Sequence, residues 1–259
     1  MKNLALITLA ATATLTTVVA QPMTLAFSDP SRPGTVRVEL TQGSIHVTGA
    51  AGNSVILDGK GRATRQREEA AGGMRRIGGG GANLNAREEG NVIRIDSDSW
   101  AGGQDVSLQV PFKTSLILKT VNGGTVRVEN VEGEIEVQNV NGSIRLIDVS
   151  GAVVANSSNG KVEVTLNKVT AGKPMAFTSL NGNVDVTFPS DLKATLRMRA
   201  DNGDIFTDFE ATVKTEQNNS QNGKGRWKSE STTVAQVGGG GAEIRLQTMN
   251  GRIYVRKGK

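Results

Sequence analysis

The chain has 259 residues, of which 32 are glycine, 37% are hydrophobic, only 3% are aromatic and none is cysteine. Without cysteine there are no disulfides, thiolate nucleophiles, thiolate metal sites or cysteine-linked lipid anchors, and with so few aromatics any core is thin and filled by Val, Ile, Leu and Ala. A net charge of +5 at pH 7 permits contact with anionic polymers or membrane surfaces without demanding it, because Lys and Arg are interspersed with acidic residues as on a solvated surface.

The opening MKNLALITLAATATLTTVVAQP reads as a secretory leader over residues 1–20. Lys2 supplies the positive start, Leu4 to Leu15 the apolar stretch, and Val18 and Ala20 the small residues before a cleavage site. Threonines interrupt the run, which falls short of the ~20 apolar residues that span a bilayer, so no transmembrane segment is expected once the leader is removed. The expected location is exported: periplasm, outer envelope or extracellular.

Residues 21–110 form an irregular N-terminal part. TVRVEL, SIHV, SVILDG, NVIRID and DVSLQVP alternate apolar and polar residues with the period of two that marks strands. A polar, glycine-rich stretch over 64–90 is expected as an exposed loop. Arg62, Arg65, Arg67, Arg75 and Arg76 make the densest basic cluster, suited to phosphate or sulfate groups of an envelope polysaccharide, although Glu68, Glu69, Glu88 and Glu89 balance it. No aromatic is interleaved for base stacking, so nucleic acid is not an expected partner.

Over 111–209 the chain is repetitive. Glycines at 124, 133, 142, 151 and 160 recur every nine residues, and aliphatic residues follow each at the second and fourth places, as Val126 and Val128 or Ile144 and Leu146. Two aliphatics and a small residue precede the turn in the same alternation, as Val153, Ala155 and Ser157. Asn-Gly between such runs is a hairpin signal. Glu132-Gly133 and Ser150-Gly151 fit that turn poorly, however, and no amphipathic helix exists to cover a flat meander. Stacked coils bury their own inward face, so the pattern predicts an all-β, parallel β-solenoid of short strands. Its structural corners are Asn122, Gly124, Gly133, Asn141, Gly142, Gly151, Asn159, Gly160, Asn181, Gly182, Asn202, Gly203, Asn250 and Gly251, with asparagine expected there because it tolerates left-handed geometry beside glycine.

Residues 210–241 form a second polar insert, expected to be flexible, and 242–259 a closing coil. Arg252, Arg256, Lys257 and Lys259 suit the protection of an open edge at the C-terminal end. Both inserts end in GGGGA, at 78–82 and 238–242, read as hinges re-entering a strand because neither leads into a helix.

The run VPFKTSLILKTVNGGTVRVENVEGEIEVQNVNGSIRLIDVSGAVVANSSNGKVEV, with FTSLNGNVDVTFP and MRADNGDIFTDF after it, resembles the bacterial DUF4097 family of adhesin-like β-strand-repeat proteins. The resemblance covers most of the chain after residue 20 and implies an exported, right-handed parallel β-solenoid. It carries no catalytic or binding residues that could be transferred.

Chemistry-bearing motifs are scarce. His46, the only histidine, alternates with Ile45 and Val47 and is expected to point outward; no GxSxG, HExxH or P-loop pattern occurs. Asp96 with Asp98, and Asp201 with Asp204 and Asp208, are the best oxygen-ligand candidates, read as solvated turn acids because the GGxGxD calcium signature is absent. No catalytic, cofactor-binding or metal residue is therefore assigned and no cofactor is expected. The expected function is a non-catalytic, adhesin-like interaction module of the cell envelope, with an envelope polysaccharide or another envelope protein as partner. The alternatives are a polysaccharide-acting enzyme built around Asp96 and Asp98 on a solenoid face, and a scaffold partner in envelope regulation.

Overall fold

The computed structural model describes residues 22–61, 84–97, 103–222 and 226–259; among these every regular element is a strand. In chain order they are β1 (Met23–Ala26), β2 (Gly34–Gln42), β3 (Ile45–Ala50), β4 (Ser54–Gly61), β5 (Leu84–Glu89), β6 (Val92–Ser97) and β7 (Gln104–Pro111). There follow β8 (Thr114–Asn122), β9 (Val126–Glu129), β10 (Glu132–Asn141), β11 (Ile144–Asn159), β12 (Val162–Val169), β13 (Met175–Asn181) and β14 (Val184–Phe188). The last are β15 (Ala194–Asn202), β16 (Ile205–Thr207), β17 (Ala211–Asn222), β18 (Arg226–Val237), β19 (Ala242–Asn250) and β20 (Ile253–Lys257). The leader, Asp98 and the arginine cluster fall outside the described residues.

Each coil contributes one strand to each of two sheets. The first runs β5-β6-β2-β8-β10-β11-β13-β19-β15-β18-β17. The second runs β1-β4-β7-β3-β9-β11-β12-β14-β20-β16. The long strand β11 bends through both. Pairing in the body is parallel and in register, so like stacks on like: Val36, Leu116, Ile135, Val153, Met175, Ile244 and Leu196 form one buried column. The two sheets close on one core, where the Phe177 ring of β13 meets the Phe188 ring of β14 edge-on, 6.1 Å between centroids. A buried aliphatic is worth about 1.5–3 kcal/mol, so a coil with four or five of them is stable only in the stack.

The corners explain the asparagines differently from the expectation. None of Asn122, Asn141, Asn159, Asn181, Asn202 and Asn250 has positive φ. They form a continuous amide ladder instead: Asn141 donates to Asn122 at 2.9 Å, Asn159 to Asn141 at 2.9 Å and Asn181 to Asn159 at 2.8 Å. It continues with Asn250 to Asn181 at 2.7 Å and Asn202 to Asn250 at 2.9 Å. The glycine that follows is required by close approach. A Cβ on Gly160 would lie 2.2 Å from the Gly142 carbonyl oxygen of the neighbouring coil. Beneath the ladder, buried Thr120, Ser157, Ser179 and Thr248 donate to corner carbonyls, the last to Gly182 at 2.8 Å. The coil holding Gly123 and Gly124 has one residue more at this corner, and Asn139 above it reaches the Gly124 and Ser143 carbonyls with its longer side chain. At the opposite corners the left-handed residues are Asn130 (φ 62°) and Asp148 (φ 54°), short polar residues that tolerate that region. Gly133 and Gly151 lie three residues further on, inside β10 and β11, paired with each other.

Three expectations change. The stretch 64–90 is not loop to its end, because β5 pairs antiparallel with β6 over Leu84–Glu89. The insert at 210–241 contains a long antiparallel hairpin, β17 with β18, which pairs onto β15 and extends the first sheet. The final coil does not close the stack either: β19 lies between β13 and β15, and β20 between β14 and β16. Both edges of β20 are thus paired, so its arginines guard no open edge. The first coil is placed the same way, with β2 between β6 and β8 and β3 between β7 and β9.

Candidate functional site

Alternation sets the chemistry of the outer faces. After each corner glycine the residue between two buried aliphatics must point outward, and on the second sheet these positions align as His46, Arg127, Arg145, Glu163, Asp185, Tyr254 and Phe206. They make one charged and aromatic column along the solenoid axis. Neighbouring strands lie about 4.8 Å apart, so the column from β3 to β16 is about 29 Å long.

Ion pairs knit this face. His46 Nε2 lies 3.3 Å from the Glu129 carboxylate, which also accepts from the Arg127 guanidinium, with Nε at 2.9 Å. Arg145 reaches Glu163 at 2.9 Å, and Lys161 lies between Glu163 at 3.4 Å and Asp185 at 3.5 Å. Arg256 holds Asp185 at 2.8 Å. Arg127 holds the Glu129 carboxyl below the usual glutamate range; burial, the next largest effect, opposes it, and His46 adds a smaller lowering. The Arg256 guanidinium is held more firmly protonated, chiefly by Asp185.

Two features stand out along the column. In the middle, Thr125, Arg127, Ser143, Arg145 and Lys161 line a shallow groove of about 410 Å³ that reaches His46; Glu163 is its lining carboxylate. At the β16 end, Phe206 stacks on Tyr254 with centroids 5.3 Å apart and planes inclined by 13°. Phe206 is 47% exposed. The Arg256 guanidinium sits 5.2 Å from the Tyr254 ring, and Arg252 lies 3.8 Å from Asp204.

The residues singled out from sequence are dispersed. His46 is on the surface as expected and joins the column. Asp96 faces Arg87 at 3.7 Å on the first sheet. Asp201 is paired with Arg199 at 2.7 Å, Asp204 with Arg252 at 3.8 Å, and Asp208 accepts the Lys257 backbone N–H at 2.6 Å. Among the described residues no three His, Cys, Asp or Glu side chains gather as a metal site. Gly238 to Gly241 all have positive φ and simply turn β18 into β19. The column itself was missed, although its signal was available: the single residue between the two aliphatics after each corner.

Elsewhere, the exposed apolar pairs Val121 with Val140 and Leu180 with Met249 lie beside the asparagine ladder, separated by Ser158. A second recess, about 350 Å³, is lined by Phe27, Pro30, Pro33, Pro111 and Phe112 at the N-terminal corner. Neither brings titratable groups together as the column does.

The family model described as Toastrack DUF4097 matches residues 26–255. No curated protein matches the chain significantly. Among solved structures, a candidate cell adhesion protein from Clostridium sporogenes ATCC 15579 is similar at 10% identity and a TM-score of 0.44, over 92% of this chain and all of that one. A candidate adhesin from Bacteroides fragilis NCTC 9343 is similar at 9% identity and a TM-score of 0.32, over 91% of this chain and 95% of that one.

Proposed function

Because this chain belongs to the Toastrack DUF4097 family, we propose that it works as that resemblance implies: an exported, non-catalytic interaction module of the cell envelope. The observation that carries the reading is the flat outer column of the second sheet. Its acids from β9 to β20, Glu129, Glu163 and Asp185, are each matched to a neighbouring cation. The Glu129 carboxyl, held low chiefly by Arg127, is a poor proton donor. A ladder of outward side chains on rigid strands suits recognition, since its geometry is fixed before the ligand arrives. Export rests on the composition of residues 1–20.

The competing reading, an enzyme acting on polysaccharide, needs acidic and basic groups converging in a deep groove. Asp96, its expected centre, faces Arg87 on the other sheet. The test is to pass residues 21–259 over immobilised neutral and acidic envelope polysaccharides and envelope proteins while assaying for released sugars. Reproducible retention without product supports the interaction module. Released product would make it an enzyme; no retention by a folded chain would end the adhesin reading.

A further inference from the structure

We propose that the outer face of the second sheet is a binding site for an extended acidic glycan, uronate- or sulfate-bearing, laid along the solenoid axis from Phe206 towards His46. The proposal rests on the reading of the chain as an interaction module and names what that module holds. Three observations converge on it.

The first is the aromatic pair. In a chain that is only 3% aromatic, an exposed phenylalanine and the single tyrosine stack on adjacent strands of this face. Neither ring is needed for the core, which is filled from the opposite side of the same strands by Ile253 and Val255. Exposed rings flanked by planar polar groups suit sugars, whose C–H faces pack on an aromatic while their hydroxyls bridge the flanking groups. Arg256 sits 5.2 Å from the Tyr254 ring, and Arg252, on the same strand, lies 3.8 Å from Asp204.

The second is the groove. Arg127, Arg145, Lys161 and His46 line it with Glu163, while Glu129 pairs with His46 and Arg127 and Asp185 with Lys161 from just outside the lining. Each guanidinium carries five N–H donors, and the carboxylates beside Arg127 and Arg145 occupy only part of that number. These side chains are 37% and 47% exposed, which leaves them open to a planar carboxylate or sulfate.

The third is spacing. Arg145 lies four strands from Phe206, about 19 Å at about 4.8 Å per strand, too far for one sugar to touch both. Only a polymer whose rings rest on the platform and whose charges reach the groove uses both features, and linked weak contacts then add as avidity. A protein partner would need a desolvated apolar centre, whereas the side chains lining the groove are polar or charged apart from the buried Ile45 and Ile144.

The probe is a hexauronate, compared with a neutral hexaose of equal length and with a diuronate, on residues 21–259 by calorimetry. The hexauronate should bind at least about tenfold tighter than either, and its affinity should fall as salt rises. Tyr254→Ala with Phe206→Ala, and separately Arg145→Gln with Lys161→Gln, should each weaken it about tenfold or more. Tyr254→Phe should retain binding if the ring is what counts, which guards against mere misfolding of the alanine variant. Equal binding of the neutral hexaose, or hexauronate affinity unmoved by both double variants, overturns the proposal. If another envelope polymer or protein is retained and the variants leave that retention intact, the interaction module stands and the glycan site fails; if nothing is retained, both fail.

Discussion

Replacing Gly160 by alanine tests the stacked corner directly. The added Cβ would lie 2.2 Å from the Gly142 oxygen, 2.5 Å from its carbonyl carbon and 2.8 Å from the Ser143 nitrogen, all backbone atoms of the adjacent coil. Real Cβ contacts essentially never fall below 3.0 Å, so the coils must part by most of an ångström. The bonds that hold this corner are Gly142 N–H to Asn159 O at 3.0 Å, Ile144 N–H to Lys161 O at 2.8 Å and Ser157 hydroxyl to Gly142 O at 3.0 Å. With each worth about 0.5–1.5 kcal/mol net, losing two or three costs about 2–4 kcal/mol. For a slope of about 2 kcal/mol per molar urea, the midpoint should fall by about 1–2 M. Asn159→Ala, which removes two exposed amide bonds at the same corner, should cost about 1 kcal/mol. A Gly160→Ala protein with an unchanged midpoint would refute the account of these glycines as spacers between coils.

Phe177→Ala should cost about 3–5 kcal/mol by opening a cavity between the two sheets, since Phe177 is fully buried against Phe188; a loss below about 1 kcal/mol, read by urea unfolding, would mean the sheets do not close there. Thr248→Val keeps the shape but deletes the buried hydroxyl that serves the Gly182 carbonyl, and should cost about 1–3 kcal/mol in the same assay. The depressed Glu129 carboxyl gives a pH test. Its stabilising effect is complete above the ordinary glutamate value of about 4.3 and is lost as pH falls through the lower folded value. Arg127→Gln should therefore lower the urea midpoint more at pH 7 than at pH 3; equal losses at both would remove the pair from the account.

The repeat was legible because inward positions such as Ile135 and Val137 must be apolar in every coil, and because corner glycines cannot vary without collision. The role of the corner asparagines was not. Asn-Gly carries the same letters whether the amide tolerates a left-handed turn or bonds the amide above it, and only the positions of Asn130 and Asp148 separate the two. Coil order was hidden for a related reason. Val184 pairs equally well with Val162 and Ile253, so the alternation that predicts stacking cannot say which coil stacks on which. The aromatic and charged column lay in plain view as Arg127, Arg145, Tyr254 and Phe206, but becomes a surface only once the register aligns them.

That coil order bears on how the molecule comes into being. β19 and β20 follow β15 and β16 in the chain yet fill the slot between them and the β13–β14 coil, so β15 and β16, with the hairpin that rides on β15, cannot dock on the stack until residue 257 is available. Growth from the N-terminus can proceed coil by coil as far as Phe188 and must then wait. Completion is a late, long-range closure, the kind of step that slows folding of β proteins and leaves sheet edges open to other chains in the interim. A chain cut short before Ala242 would lack the middle of the terminal stack rather than its cap, and everything beyond Phe188 would lose its place.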